Sequence, residues 1–202
     1  DLDCLDHALS QHVDFVAVSY VRNADDLLPA KKRIQDAGVH TWIVAKIEHP
    51  AALEDLNAIV ESADIVMVAR GDLGVEIPLE EVPAAQERIV LACLERGTPV
   101  VVATQMLESM VTHARPTRAE VTDVATAIRQ HVSAVMLSGE TANGQHPVKA
   151  VETMARIAET VEQSTKGLPD PPALASYVST RVIAGAAIEI ARETSAKHLI
   201  VG

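Results

Sequence analysis

The sequence predicts an α/β fold of parallel strands joined by helices, and three observations carry that expectation. Short β-branched runs alternate with segments of helical spacing along the 202 residues. Aromatics make up only 2% of the chain, so Val, Ile, Leu, Ala and Met must fill the core, as they do in parallel sheets covered on both faces. The strand-like runs also end in polar or ionisable residues, which is where parallel α/β folds gather an active-site rim.

Taken in order, the candidate strands are 14–19, 42–48, 64–69, 99–104 and 134–138. Helical spacing fills the intervals 24–37, 51–62, 79–96 and 118–129. Gly38 follows the first helix, and Gly97 with Pro99 closes the third. Pro116 and Thr117 precede the fourth, where Thr117 and Glu120 have the spacing of a capping box. Residues 147–165 read as one long helix with apolar positions at Val148, Val151, Met154, Ile157, Ala158 and Val161. Three prolines and a glycine in the seven residues 166–172 then mark a linker, with a further helix at 175–194 and the start of a strand at 197–201.

Five βα units do not close an eight-stranded barrel, so part of a barrel and an open doubly wound sheet both fit the pattern. The first strand lacks a GxGxxG fingerprint, and the polar strand tips favour the barrel arc. A net charge of −11 leaves no basic face for nonspecific nucleic-acid binding. The chain shows no apolar run long enough for a membrane span and no signal peptide at its start. Cys4 and Cys93 form no CxxC pair and read as free thiols of a reducing, cytoplasmic protein.

The segment 65–78 is the most informative stretch. An apolar run ends in Asp72, flanked by Gly71 and Gly74, with a helix expected to start a few residues later. A carboxylate at a strand tip suits a metal held beside an anionic substrate, and glycine backbone there could present N–H groups to a carboxylate. Lys46 and Glu48 sit two apart and so share a strand face with Trp42 and Val44. They fit either a plain ion pair or a site in which Glu48 and Asp72 share a hard cation and Lys46 supplies fixed positive charge. Thr104 ends the fourth strand, as a helix cap or as a hydroxyl that binds substrate or passes a proton. Ser138 and Glu140 end the fifth. Without a GxSxG elbow or a histidine tied to Ser138 by spacing, a hydrolase triad is not indicated.

These residues resemble pyruvate kinase. The resemblance rests on Ala-Lys-Ile-Glu at 45–48, Met-Val-Ala-Arg-Gly-Asp-Leu-Gly-Val-Glu at 67–76 and Ala-Thr-Gln-Met-Leu-Glu-Ser-Met at 103–110. Arg-Pro-Thr-Arg-Ala-Glu at 115–120 and Met-Leu-Ser-Gly-Glu-Thr-Ala at 136–142 extend it, in the family's order and spacing. It implies that 1–166 are the later strands of a (β/α)8 TIM barrel, 167–174 a linker, and 175–202 the truncated start of an α/β C-terminal regulatory domain.

The same resemblance implies glycolytic phosphoryl transfer from phosphoenolpyruvate to ADP, giving pyruvate and ATP. Glu48 and Asp72 would bind Mg²⁺ or Mn²⁺, and Lys46 would stabilise the transferring phosphoryl and the enolate. The backbone at Ala69, Gly71 and Asp72 would hold the substrate carboxylate. Thr104 would face the carbon that is protonated, Ser138 and Glu140 would join a polar relay, and Ser19 would lie close to substrate. The K⁺ site and a nucleotide-binding arginine would lie outside this chain. The family's homotetramer implies a role for Arg118 in assembly or at a neighbouring site. Gln-His-Val-Ser at 130–133 replaces the family's usual Asp-Gly-Thr-Asp and removes a helix-ending glycine. With half the barrel, the lid domain and most of the regulatory domain missing, the expectation is that this chain alone is inactive. The alternatives are a metal-dependent lyase or aldolase acting on pyruvate enolate, and a non-catalytic truncated homologue acting through oligomerisation.

Overall fold

The computed structural model describes residues 2–165 together with Glu193. Strands β1 (Phe15–Val18), β2 (Trp42–Ile47), β3 (Ile65–Ala69), β4 (Val100–Ala103) and β5 (Ala134–Met136) form one parallel sheet in the order β1-β2-β3-β4-β5. That sequential order is the order of a barrel arc, because a doubly wound sheet reverses direction at a switch point. The partial (β/α)8 barrel is the architecture present, and all five expected strands form, each shorter than its sequence limits. The linker at 167–174 and the elements expected over 175–202 lie outside the described residues, Glu193 apart.

Helices cover the sheet where spacing predicted them. Helix α1 (Leu2–Ser10) precedes β1 and was not anticipated; it buries Leu9 against the core. Helix α2 (Leu28–Ala37) ends at Gly38, whose φ of +65° is the left-handed cap that glycine adopts without a Cβ clash. Its expected first turn, 24–27, is a 3-10 turn capped by Asn23 and Asp26.

The helix expected over 51–62 is instead α3 (Pro50–Glu54) and α4 (Leu56–Ser62), broken at Asp55. The Asp55 carboxylate accepts a 2.9 Å bond from the amide of Ala24, a tie to another element that no local pattern reveals. Helix α6 (Val82–Arg96) starts three residues later than expected, after a 3-10 turn at Leu79–Glu81, and ends at Gly97. Helix α7 (Arg118–Arg129) has the Thr117–Glu120 capping box read from spacing. Helix α9 (Pro147–Thr165) buries Ala150, Met154, Ile157 and Val161, whereas Val148 and Val151 remain exposed.

The core lies between the sheet and its helices. Ile43, Ala45, Ile47, Val66, Val68, Val100 and Val102 meet Ile59, Val60, Ile89, Val90 and Val124. Alternation along β2 sends Ile43, Ala45 and Ile47 into this layer, so Trp42, Val44 and Lys46 share the opposite face.

Candidate functional site

Strand register sets the geometry at the C-terminal edge of the sheet. Val18 pairs with Ala45, so Ser19 stands beside Lys46, and Lys46 pairs with Met67, two residues below the β3 tip. Ala69 pairs with Ala103, which brings Arg70 and Thr104 level. Ser19, Lys46 and Glu48 form one cluster: Lys46 Nζ lies 2.9 Å from Ser19 Oγ and 2.6 Å from Glu48 Oε1. Glu48 is 1% exposed, and its second oxygen accepts a 2.6 Å bond from the amide of Tyr20. Tyr20 takes a φ of +54°, an uncommon left-handed conformation for a bulky residue, and its amide bond to the buried carboxylate helps hold it there. The ion pair expected of Lys46 and Glu48 is present, and with Ser19 it fixes the direction of the ammonium.

A second cluster forms between β3 and β4. The hydroxyl of Thr104 accepts a 2.7 Å bond from the amide of Gly71 and donates a 2.6 Å bond to the carbonyl of Ala103. A Cβ on Gly71 would lie 3.3 Å from that hydroxyl. The expectation for this segment needs correcting. Helix α5 (Arg70–Glu76) begins directly after β3 rather than a few residues later, and Asp72 lies in its first turn. Neither Gly71 nor Gly74 adopts a positive φ. Close approach to Thr104, rather than backbone freedom, is what Gly71 provides.

Asp72 is exposed, and its carboxylate has no partner among the described residues. Ala69 is buried. His49 caps α3 through Nδ1, 3.1 Å from the amide of Ala51, and its Nε2 lies 4.0 Å from Glu76.

Glu140 is fully buried, and its oxygens accept bonds from the amides of Leu107 (2.9 Å) and Ser138 (2.8 Å). It thereby ties the segment after Thr104 to the tip of β5. Ser138 is the N-cap residue of α8 (Gly139–Ala142). From the other side Glu120 accepts bonds from the amide and hydroxyl of Ser109, both at 2.6 Å. Sequence reading gave no role to the side chain of Arg70, which reaches Thr104, Gln105 and Asp123. An arginine directly after an apolar strand run, inside a segment already singled out, was the available signal. Cys93 is buried, and its thiol is pushed up to about 12 by desolvation, so it is inert; Cys4 is exposed.

The donor set fits a small hard cation. Among the described residues no group of three or more His, Cys, Asp or Glu converges, so a soft or all-protein metal cage is not present there. Mg²⁺ is commonly held by one or two carboxylates while waters and substrate oxygens complete its shell. Glu48 and Asp72 are oxygen donors of that kind, and the Glu48 oxygens each retain acceptor capacity beyond one bond. Among the described residues no helix is long and apolar enough to cross a membrane.

Comparison with known proteins points to one family. The family described as "Pyruvate kinase, barrel domain" matches residues 1–151. The chain is 45% identical over 200 residues to a pyruvate kinase of Mycobacterium tuberculosis, covering 99% of this chain and 42% of that protein. It is 52% identical over 163 residues to pyruvate kinase 2 of Synechocystis, covering 81% of this chain and 28% of that protein. A solved pyruvate kinase from Cryptosporidium parvum superposes with a TM-score of 0.82 at 39% identity, over 96% of this chain and 42% of that one. The chain thus spans about two-fifths of the length of the Mycobacterium relative.

Proposed function

Because the chain belongs to the pyruvate kinase family, we propose that it carries the enolate and divalent-cation half of a site transferring a phosphoryl group from phosphoenolpyruvate to ADP in glycolysis. The observation that carries this reading is the Ser19–Lys46–Glu48 cluster at the same sheet edge as Gly71 and Thr104. In that reading Lys46 is the fixed cation. Two contacts orient its ammonium, so it meets the charge that develops on the phosphoryl oxygens and the enolate without reorganising first. Glu48 and Asp72 would hold Mg²⁺ or Mn²⁺, which supplies charge neutralisation when bound.

The amides at Gly71 and Asp72 and the tip of β3 at Ala69 would receive the substrate carboxylate. The amide of Gly71 is engaged by Thr104, so substrate entry would exchange that bond for one to the carboxylate. The Thr104 hydroxyl donates its proton to the Ala103 carbonyl, so relaying a proton to the enolate carbon would require it to turn from that carbonyl and to take a replacement proton from water. Ser138, the residue before α8, would join the polar relay. Glu140 holds the loop through its two backbone bonds, and any relay role would require it to release one of them. ATP and ADP, a K⁺ site, homotetramer assembly through Arg118 and a cytoplasmic setting complete the proposal, the K⁺ ligands lying outside this chain. The domain division at 166 and 174 is proposed on the same footing.

The enolate-lyase reading shares Lys46, Glu48 and Asp72 but gives the 103–110 segment no role. The chain alone is expected to be inactive, so the test is binding. Titration with Mn²⁺ and pyruvate, read by water-proton relaxation, should show a ternary complex for the chain and at least about tenfold weaker binding for Asp72→Ala. Equal binding by the two would overturn the assignment of Asp72. Turnover of phosphoenolpyruvate by these 202 residues, abolished in Asp72→Ala, would show that they suffice for the reaction.

A further inference from the structure

Arg70 opens α5 and is 8% exposed, and none of the roles above uses its side chain. Its guanidinium crosses to the turn after β4. Nη2 donates to the carbonyl of Thr104 at 2.8 Å and to that of Gln105 at 3.1 Å, and Nε adds a 3.3 Å contact to Thr104. The sulfur of buried Met106 lies 2.8 Å from Nη2. Nη1 is anchored by Asp123 on α7 at 2.7 Å and by Gln86 on α6 at 3.4 Å.

The two carbonyls belong to residues in left-handed backbone, with φ of +69° at Thr104 and +53° at Gln105. For a β-branched residue that conformation is a true outlier, and it persists only where the surroundings over-determine it. Relaxing Thr104 to ordinary backbone would turn its carbonyl away from Arg70 and its hydroxyl away from Gly71. One short stretch of chain therefore grips Thr104 twice, by the Gly71 amide on the hydroxyl and by the guanidinium on the carbonyl. A planar fork can serve two carbonyls and a carboxylate together, which a point-like ammonium cannot.

We propose that Arg70 is a positioning residue that holds Thr104 and Gln105 in the left-handed conformation and so sets where the Thr104 hydroxyl lies. Its functional meaning rests on the reading of Thr104 as a site residue. Hydrogen exchange followed by mass spectrometry tests it on the 202-residue chain and its Arg70→Lys and Arg70→Met variants. Peptides carrying the amides of Gly71 and of 106–110 should exchange on the order of tenfold faster in both variants, while those of β2 and α9 hold their rates.

A lysine variant that exchanges like the parent overturns the proposal, because charge alone would then suffice. Uniform acceleration across the chain also overturns it, because Arg70 would be a brace of the whole core. Oxalate with Mn²⁺, a planar dianion shaped like the enolate, separates the two readings. Unchanged oxalate affinity in Arg70→Lys counts against the proposal. Failure of the parent chain to bind oxalate counts against the substrate reading instead, and leaves Arg70 to be judged on exchange.

Discussion

Glu120→Ala is expected to destabilise the barrel unit by about 2 kcal/mol, a figure that follows from four hydrogen bonds and their exposure. The carboxylate accepts from the amide and hydroxyl of Ser109, both at 2.6 Å, and from the amide and hydroxyl of Thr117 at 2.7 and 2.9 Å. The Thr117 pair is half of a capping box, worth about 1 kcal/mol. The Ser109 pair would contribute about 1.5–3 kcal/mol per bond if buried, but both residues are partly exposed and water recovers most of that, leaving about 1 kcal/mol for the pair. For a unit of this size the sum lowers Tm by roughly 4–8 °C.

Urea and thermal unfolding followed through Trp42, the one tryptophan of the chain, would measure it. The pH dependence gives a second readout. Desolvation raises the Glu120 pKa, but the bonds from Ser109 and Thr117 outweigh it and hold the carboxyl below its usual value. A folded pKa below the unfolded one contributes stability that is complete above the ordinary carboxylate range and is lost as pH falls through the folded value. The gap between parent and variant should therefore be full at neutral pH and close in acid. A gap under about 0.5 kcal/mol at neutral pH, the level of an ordinary surface pair, would refute the reasoning, as would one that widens on acidification.

Lys46→Met leaves the carboxylate of Glu48, 1% exposed, without its ammonium, and is expected to cost about 3 kcal/mol. A shift below about 1 kcal/mol in urea unfolding would show the pair to be solvated. His131 takes a φ of +61° after α7, standing where the resembled family has its helix-ending glycine. His131→Gly should therefore stabilise by about 0.5–1 kcal/mol, and a loss of stability would contradict the strain. Among the described residues strands β1 and β5 each have an unpaired edge, and Phe15 and Trp42 are 56% and 43% exposed, so the isolated chain should self-associate in light scattering. A monodisperse monomer would contradict this.

Much of the fold is legible because its causes are local. Gly38 and Gly97 stop helices by their own φ preference, and Thr117 with Glu120 starts one through a contact three residues long. Lys46 and Glu48 share a face because strand periodicity is two. The break at Asp55 was not legible, because its cause is the amide of Ala24 on another element. Nor was the immediate start of α5, where Asp72 was expected to precede the helix and lies in its first turn instead.

By itself, then, the sequence determined where the strands run and which side chains share a strand face, since side-chain type and period are properties of neighbouring positions. Only the tertiary structure decided their distances. Ser19 meets Lys46 because β1 and β2 pair in one parallel register, and a shift of one residue would have sent each side chain to the opposite face. Thr104 is held left-handed because Arg70, 34 residues earlier, finds its carbonyl while Asp123, 53 residues later than Arg70, holds the same guanidinium. Contacts at such separations depend on how strands and helices pack, and no run of neighbouring residues encodes them.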